Sequence, residues 1–112
     1  MQIGCVKWLL LVLVAGCQTA PPVDGAAVYG KYCTPCHGPT GKPPEQMVRT
    51  LNVRDLTSPE LRARVTAPLV EAQVRAGSPN KLMPSFVEVL DDAQIKSVAA
   101  YVASPAFLPA PP

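Results

Sequence analysis

Cys33-Thr34-Pro35-Cys36-His37 decides how this chain reads. Two thiols stand two residues apart, and an imidazole follows the second directly. Four cysteines occur in all, at positions 5, 17, 33 and 36. Cys5 lies among the first residues and Cys17 sits at a processing signal, so the pair at 33 and 36 is left to act together. A structural zinc site needs four ligands, and only Cys33, Cys36 and His37 are at hand after export. A redox-active dithiol of this spacing needs a strand–helix–strand setting, which the sequence does not supply. The remaining chemistry is covalent capture of a haem. Each thiol adds to one porphyrin vinyl group to make a thioether, and the adjacent histidine binds iron from beneath the plane. The expected cofactor is one haem c, held through Cys33 and Cys36.

A single histidine leaves the second axial position to another residue type. Beyond Met1, the methionines are Met47 and Met83. A thioether ligand stabilises ferrous iron and raises the reduction potential. Met83 lies in Asn80-Lys81-Leu82-Met83-Pro84-Ser85-Phe86, where Pro84 biases the preceding residue to an extended backbone and stiffens the loop. That suits a side chain reaching across a flat cofactor, so Met83 is the expected ligand and Met47 the rival. The metal ligands expected are therefore His37 and Met83.

Working outward, the helix signals are clear and no alternating strand pattern of useful length occurs. Asp24 caps a helix from Gly25 towards Cys33, with Ala27, Val28 and Tyr32 to one side. Pro35 should end it near the cysteines. Gly38 to Pro44 is a loop by composition, and Met47 to Leu56 reads as largely irregular. Ser58-Pro59-Glu60 starts a short helix. Another begins near Thr66, carries Leu69, Val70 and Val74, and ends at Gly77. Ser78 to Phe86 is a loop. Asp91 and Gln94 form a capping box before a helix whose apolar face is Ile95, Val98, Ala99 and Val102. Pro105 stops it, leaving residues 105–112 as an extended or frayed Pro-rich tail. The expectation is an all-α domain over residues 24–104, with three to five short helices and long loops wrapped around the cofactor.

The N-terminus has a different character. Lys7 is followed by the apolar run Trp8–Ala15, too short to cross a bilayer as a helix. Val14-Ala15-Gly16-Cys17 looks like a bacterial lipobox: small side chains admit a peptidase and the thiol accepts a diacylglyceryl group. Residues 1–16 then form a lipoprotein signal peptide, Cys17 is the lipidation site, and residues 17–23 form a Pro-containing tether. Gln18 after the cysteine favours the outer membrane.

The whole chain has 112 residues, enough for one domain. Hydrophobic residues are 48%, much of them in the N-terminal run. A domain this small buries a smaller share of its surface than a large one, and a large apolar cofactor would supply the missing core. Ten Lys plus Arg face eight Asp plus Glu, with no basic stripe, which argues against a nucleic-acid partner.

Cys33-Thr34-Pro35-Cys36-His37-Gly38, Met83-Pro84-Ser85-Phe86 and the helix from Asp91 to Val102 together make residues 24–104 resemble the class I, monohaem cytochrome c family, here in a bacterial lipoprotein form. The resemblance implies that the first and last helices cross at a glycine–aromatic contact, for which Gly25, Tyr29 and Tyr101 match. It also implies that a proline carbonyl, from Pro43 or Pro44, orients His37 through its other ring nitrogen. Arg49 and Arg54 are candidate partners for the haem propionates. The chain departs from the mitochondrial type in lacking a lysine-rich face, since Lys31, Lys42 and Lys81 make only a weak patch.

The function expected is one-electron transfer between extracytoplasmic, membrane-associated redox proteins, without substrate chemistry. The carrier is expected to be monomeric, to face the periplasm and to be anchored through Cys17. Two alternatives remain: a haem-based gas sensor with a displaceable Met83, and an electron-entry subunit of a larger oxidase or dehydrogenase.

Overall fold

The computed structural model describes residues 22–109. Its elements are six α-helices: α1 (Gly25–Tyr32), α2 (Thr34–His37), α3 (Glu45–Leu51), α4 (Pro59–Arg62), α5 (Ala67–Ala76) and α6 (Asp92–Ala103). A 3-10 turn over Pro105–Phe107 follows, and no strand occurs among the described residues. The all-α expectation holds, with one helix more than the upper expected number. The signal peptide, Cys17 and most of the tether lie outside the described residues.

Side-chain caps start the helices where the sequence offers them. Asp24 Oδ1 accepts from Ala26 N at 3.0 Å, Ser58 Oγ from Leu61 N at 3.3 Å and Thr66 Oγ1 from Leu69 N at 3.3 Å. Each satisfies one amide that a helix start would leave unpaired. The capping box of α6 is complete: Gln94 N donates to Asp91 Oδ1 at 2.8 Å, and Asp91 N to Gln94 Oε1 at 2.9 Å.

Helices α1 and α6 cross, and α5 packs on α6. Ile95, Val98, Ala99 and Val102 are all buried, as their spacing predicts. On α1 the buried set is Gly25, Val28 and Tyr29, whereas Ala27 points to solvent. On α5 Val74 is buried and Val70 packs on the core, but Leu69 is 54% exposed. A Cβ at Gly25 would collide with Ser97 O and stand 2.8 Å from Tyr101 Cβ. Only hydrogen lets the two backbones approach so closely.

Three stretches differ from their expected form. The first helix ends at Tyr32, near the cysteines as expected, but the chain restarts at Thr34 as α2, with Pro35 in a first turn where its missing N–H costs nothing. Much of the region expected to be irregular is α3, which ends where Asn52 turns left-handed at φ 53°. The beginning of the tail is folded: Phe107 is 4% exposed and meets Tyr29 and Tyr101 edge-on, at 5.1 and 5.4 Å between centroids. Arg62 holds this corner shut. Its guanidinium donates to Val102 O at 2.8 Å and Ser104 O at 3.2 Å, and lies 5.5 Å from the Phe107 ring centroid.

Candidate haem-binding site

The cysteine–histidine stretch sits at the junction of α1 and α2. Cys33 caps α1 and starts α2, its carbonyl accepting from Cys36 N at 3.2 Å and His37 N at 2.9 Å. One turn of helix thus carries both thiols and the imidazole. Among the described residues the two cysteines are unbridged and half-buried. Burial, and then the neighbouring Cys36, push the Cys33 thiol up to about 11.

The His37 ring is held by a backbone carbonyl. Its Nδ1 lies 3.3 Å from the carbonyl oxygen of Arg54, which fits a protonated Nδ1 and leaves the Nε2 lone pair for a metal. Burial pulls its pKa below 6.5, opposed by the Arg54 carbonyl, so the ring is kept in the neutral form that ligates iron. The carbonyl expected from Pro43 or Pro44 is supplied by Arg54 instead. Pro43 is buried beside this segment, and Pro44 is exposed at the start of α3. The reason is local: Leu56 N donates to Gly41 O at 2.9 Å, drawing the Val53–Leu56 stretch alongside the loop that follows His37. Behind the histidine, the Tyr29 hydroxyl donates to Gly38 O at 2.6 Å.

Met83 and Cys33 both pack against the one core cluster, beside Tyr32, Phe86 and Tyr101. Met47 lies on α3, which contributes no buried residue. The two methionines thus occupy different settings, Met83 against the cluster on which Cys33 also packs and Met47 on a helix with no buried residue. An open cleft of about 510 Å³ is lined by Lys42, Pro43, Val48, Asn52, Val53, Arg54 and Asp55. Of the two propionate candidates, Arg54 borders this cleft, while Arg49 pairs with Glu45 at 3.2 Å on the exposed side of α3.

These residues fit a haem c. The donor set has two thiols for thioether bonds, a neutral imidazole with its remote nitrogen available, and a methionine on the same core. The Arg54 carbonyl and the Phe107 ring escaped sequence reasoning. The first is a backbone group with no side-chain signal; the second lies beyond a proline that marks a helix end.

An all-helical domain with this site is a c-type cytochrome, a class that carries covalently bound haem c and transfers electrons outside the cytoplasm. The family model for cytochrome c oxidase, cbb3-type, subunit III matches residues 20–102, and the chain belongs to that family. Among solved structures, the chain is similar to the KustC0563 c-type cytochrome, with 26% identity and a TM-score of 0.66 over 78% of this chain and all of that one. A tyrosine-to-phenylalanine variant of KustC0563 aligns at 26% identity and a TM-score of 0.63, covering 72% of this chain and 96% of that one. No curated protein sequence matches. Among the described residues, no helix is long and apolar enough to cross a membrane.

Proposed function

We propose that this chain is a monomeric one-electron carrier with a single haem c. Cys33 and Cys36 hold the haem covalently, and His37 and Met83 are the axial ligands. The observation that carries this reading is the α2 turn, which presents both thiols and an imidazole whose Nδ1 is already engaged by a carbonyl. When bound, the haem supplies the one-electron couple between ferric and ferrous iron. The chain's own residues fix the rest. The Arg54 carbonyl sets the imidazole orientation and makes Nε2 more basic. The Met83 thioether favours the reduced state. With His37 and Met83 both holding the iron, the haem would offer no open position to a substrate, and the chain would act as a carrier rather than an enzyme.

Cys17 as a lipid attachment site would keep the domain at the periplasmic side of a membrane, tethered by the short Pro-containing segment before Asp24. The outer membrane is favoured by Gln18. Donor and acceptor would then be redox proteins within reach of that tether.

A second reading is supported by the family match, whose description names an oxidase subunit. Here the domain docks on a larger oxidase and serves as its electron-entry site. Purification from mild detergent separates the two: a free carrier elutes alone, and a subunit elutes with its complex. Replacement of Cys17 by alanine tests the anchor, since the protein should leave the membrane fraction.

The central test is an absorption spectrum of protein exported from a host with haem-attachment machinery. Sharp ferrous c-type bands with a weak ferric band at the red edge of the spectrum would support His37/Met83 ligation. A c-type spectrum without that band, and with ready carbon monoxide binding, would favour a gas-binding role. Absence of covalent haem would overturn the proposal.

A further inference from the structure

Both backbone hydrogen bonds of Met83 are made to one residue. Met83 N donates to Ser78 Oγ at 3.0 Å, and Ser78 N donates to Met83 O at 2.9 Å. The Ser78 hydroxyl in turn donates to Asn80 Oδ1 at 2.6 Å, and that oxygen also accepts from Leu82 N at 3.1 Å. The loop is thus a closed ring, with Ser78 and Met83 at its neck. The neck is anchored to α5. Gly77 caps that helix at φ 72°, and a Cβ there would stand 2.6 Å from Met83 O, so the helix end fits against the methionine's own carbonyl. Lys81, at φ 65°, makes the tight reversal inside the ring. A short loop that closes on itself this way holds the backbone of its last residue in one place while that residue's side chain packs against the core.

We propose that Ser78 is a positioning residue for the Met83 axial ligand, resting on the Met83 assignment made above. The hydroxyl does not touch the haem; it acts through the Met83 amide. The bond from Met83 N to Ser78 Oγ exists only while the loop is closed. Opening of the loop, which would withdraw the sulfur from iron, would break this bond and leave the amide to water. The bond therefore favours the ligated state alone and lowers the population in which the sixth position is vacant. An exogenous ligand binds only that open population, so its apparent affinity scales with the open fraction. A single hydrogen bond of this kind changes such a fraction by about two- to twelvefold.

The test is titration of the ferric holo-protein with imidazole, followed by loss of the red-edge iron–sulfur band. Ser78→Ala should bind imidazole about two- to twelvefold more tightly than the parent. Ser78→Thr keeps the hydroxyl and should return the affinity to near the parent's. Thr66→Ala, which removes the cap of α5 at its far end, loosens the fold without touching the ring and should leave the affinity unchanged. An unchanged affinity in Ser78→Ala, or an equal tightening in Thr66→Ala, would overturn the inference while leaving the ligand assignment intact. Met83→Ala is measured alongside. If that variant keeps the red-edge band, Met83 is not the ligand and both claims fall.

Discussion

The Tyr29 hydroxyl donates to the carbonyl of Gly38 at 2.6 Å, joining the first helix to the residue directly after the histidine. Both groups are buried, and burial raises the phenol pKa well above its usual 10, so the group remains a donor at all working pH values. Tyr29→Phe removes the donor and leaves the buried Gly38 carbonyl with the longer Gly41 amide bond at 3.3 Å, at a cost of about 0.5–1.5 kcal/mol. The measurement is urea unfolding of the holo-protein. The midpoint should fall with little change in slope. An unmoved midpoint would mean that water replaces the phenol without penalty.

Two glycines on α1 should respond to alanine with opposite signs. At Gly25 the new methyl meets Ser97 O and Tyr101 Cβ on α6, so the helices must separate, costing about 1–3 kcal/mol or more. At Gly30 the methyl meets nothing within 4 Å, and alanine should stabilise the helix by about 0.5–1 kcal/mol. Thermal melts of the two holo-variants check both. If both melt at the parent temperature, the close crossing of α1 and α6 is not a tight contact in solution.

Which parts could be read beforehand follows from where the information is stored. Helices α1, α4, α5 and α6 announce themselves because side chains make their caps: Asp24, Ser58, Thr66 and Asp91 each carry an acceptor aimed at an amide. α3 has Pro44 at its start with no side-chain cap, and it buries no residue, so it has neither a start signal nor an apolar stripe. Leu69 has the residue type of a core position, but it faces outward on a helix whose contact side is set by Val70 and Val74. The cysteine–histidine stretch and Met83 are legible as candidates because their side chains would carry the proposed chemistry. The partner of His37 is not, since the choice between Pro43, Pro44 and Arg54 is made by how two loops lie together. Phe107 was hidden behind Pro105, which ends the helix but not the folded domain.

Arg62 should matter more to the fold than its half-exposed position suggests. Its guanidinium serves the carbonyls of Val102 and Ser104, reaches Leu56 O at 3.4 Å, and lies near the Phe107 ring. A lysine has one compact charged head and cannot span these acceptors in a fork. Arg62→Lys should therefore recover little of what Arg62→Leu loses, with both destabilised by about 1–3 kcal/mol. Limited proteolysis supplies an independent readout, because a released 105–109 segment would be cut early. If lysine restores full stability, the charge alone is enough and the fork geometry is irrelevant.

Asp92 predicts how stability depends on acid. Its carboxylate receives the Arg75 guanidinium from α5 and Lys96 Nζ at 3.1 Å, and these hydrogen bonds, Arg75's first, hold its pKa below 3.8. A carboxyl group depressed in the folded state is protonated more readily after unfolding. Its contribution is therefore complete above about pH 4 and is lost as pH falls through the lower, folded value. Asp92→Asn removes that dependence. Denaturation midpoints of the two proteins should differ at neutral pH and converge in acid, with the variant showing the flatter acid limb. Because the groups are solvent-exposed, raising salt to about 1 M, where the screening length is about 3 Å, should shrink the neutral-pH difference. Parallel curves from neutral pH down to the acid limit would show that the bridge between α5 and α6 adds nothing to the fold.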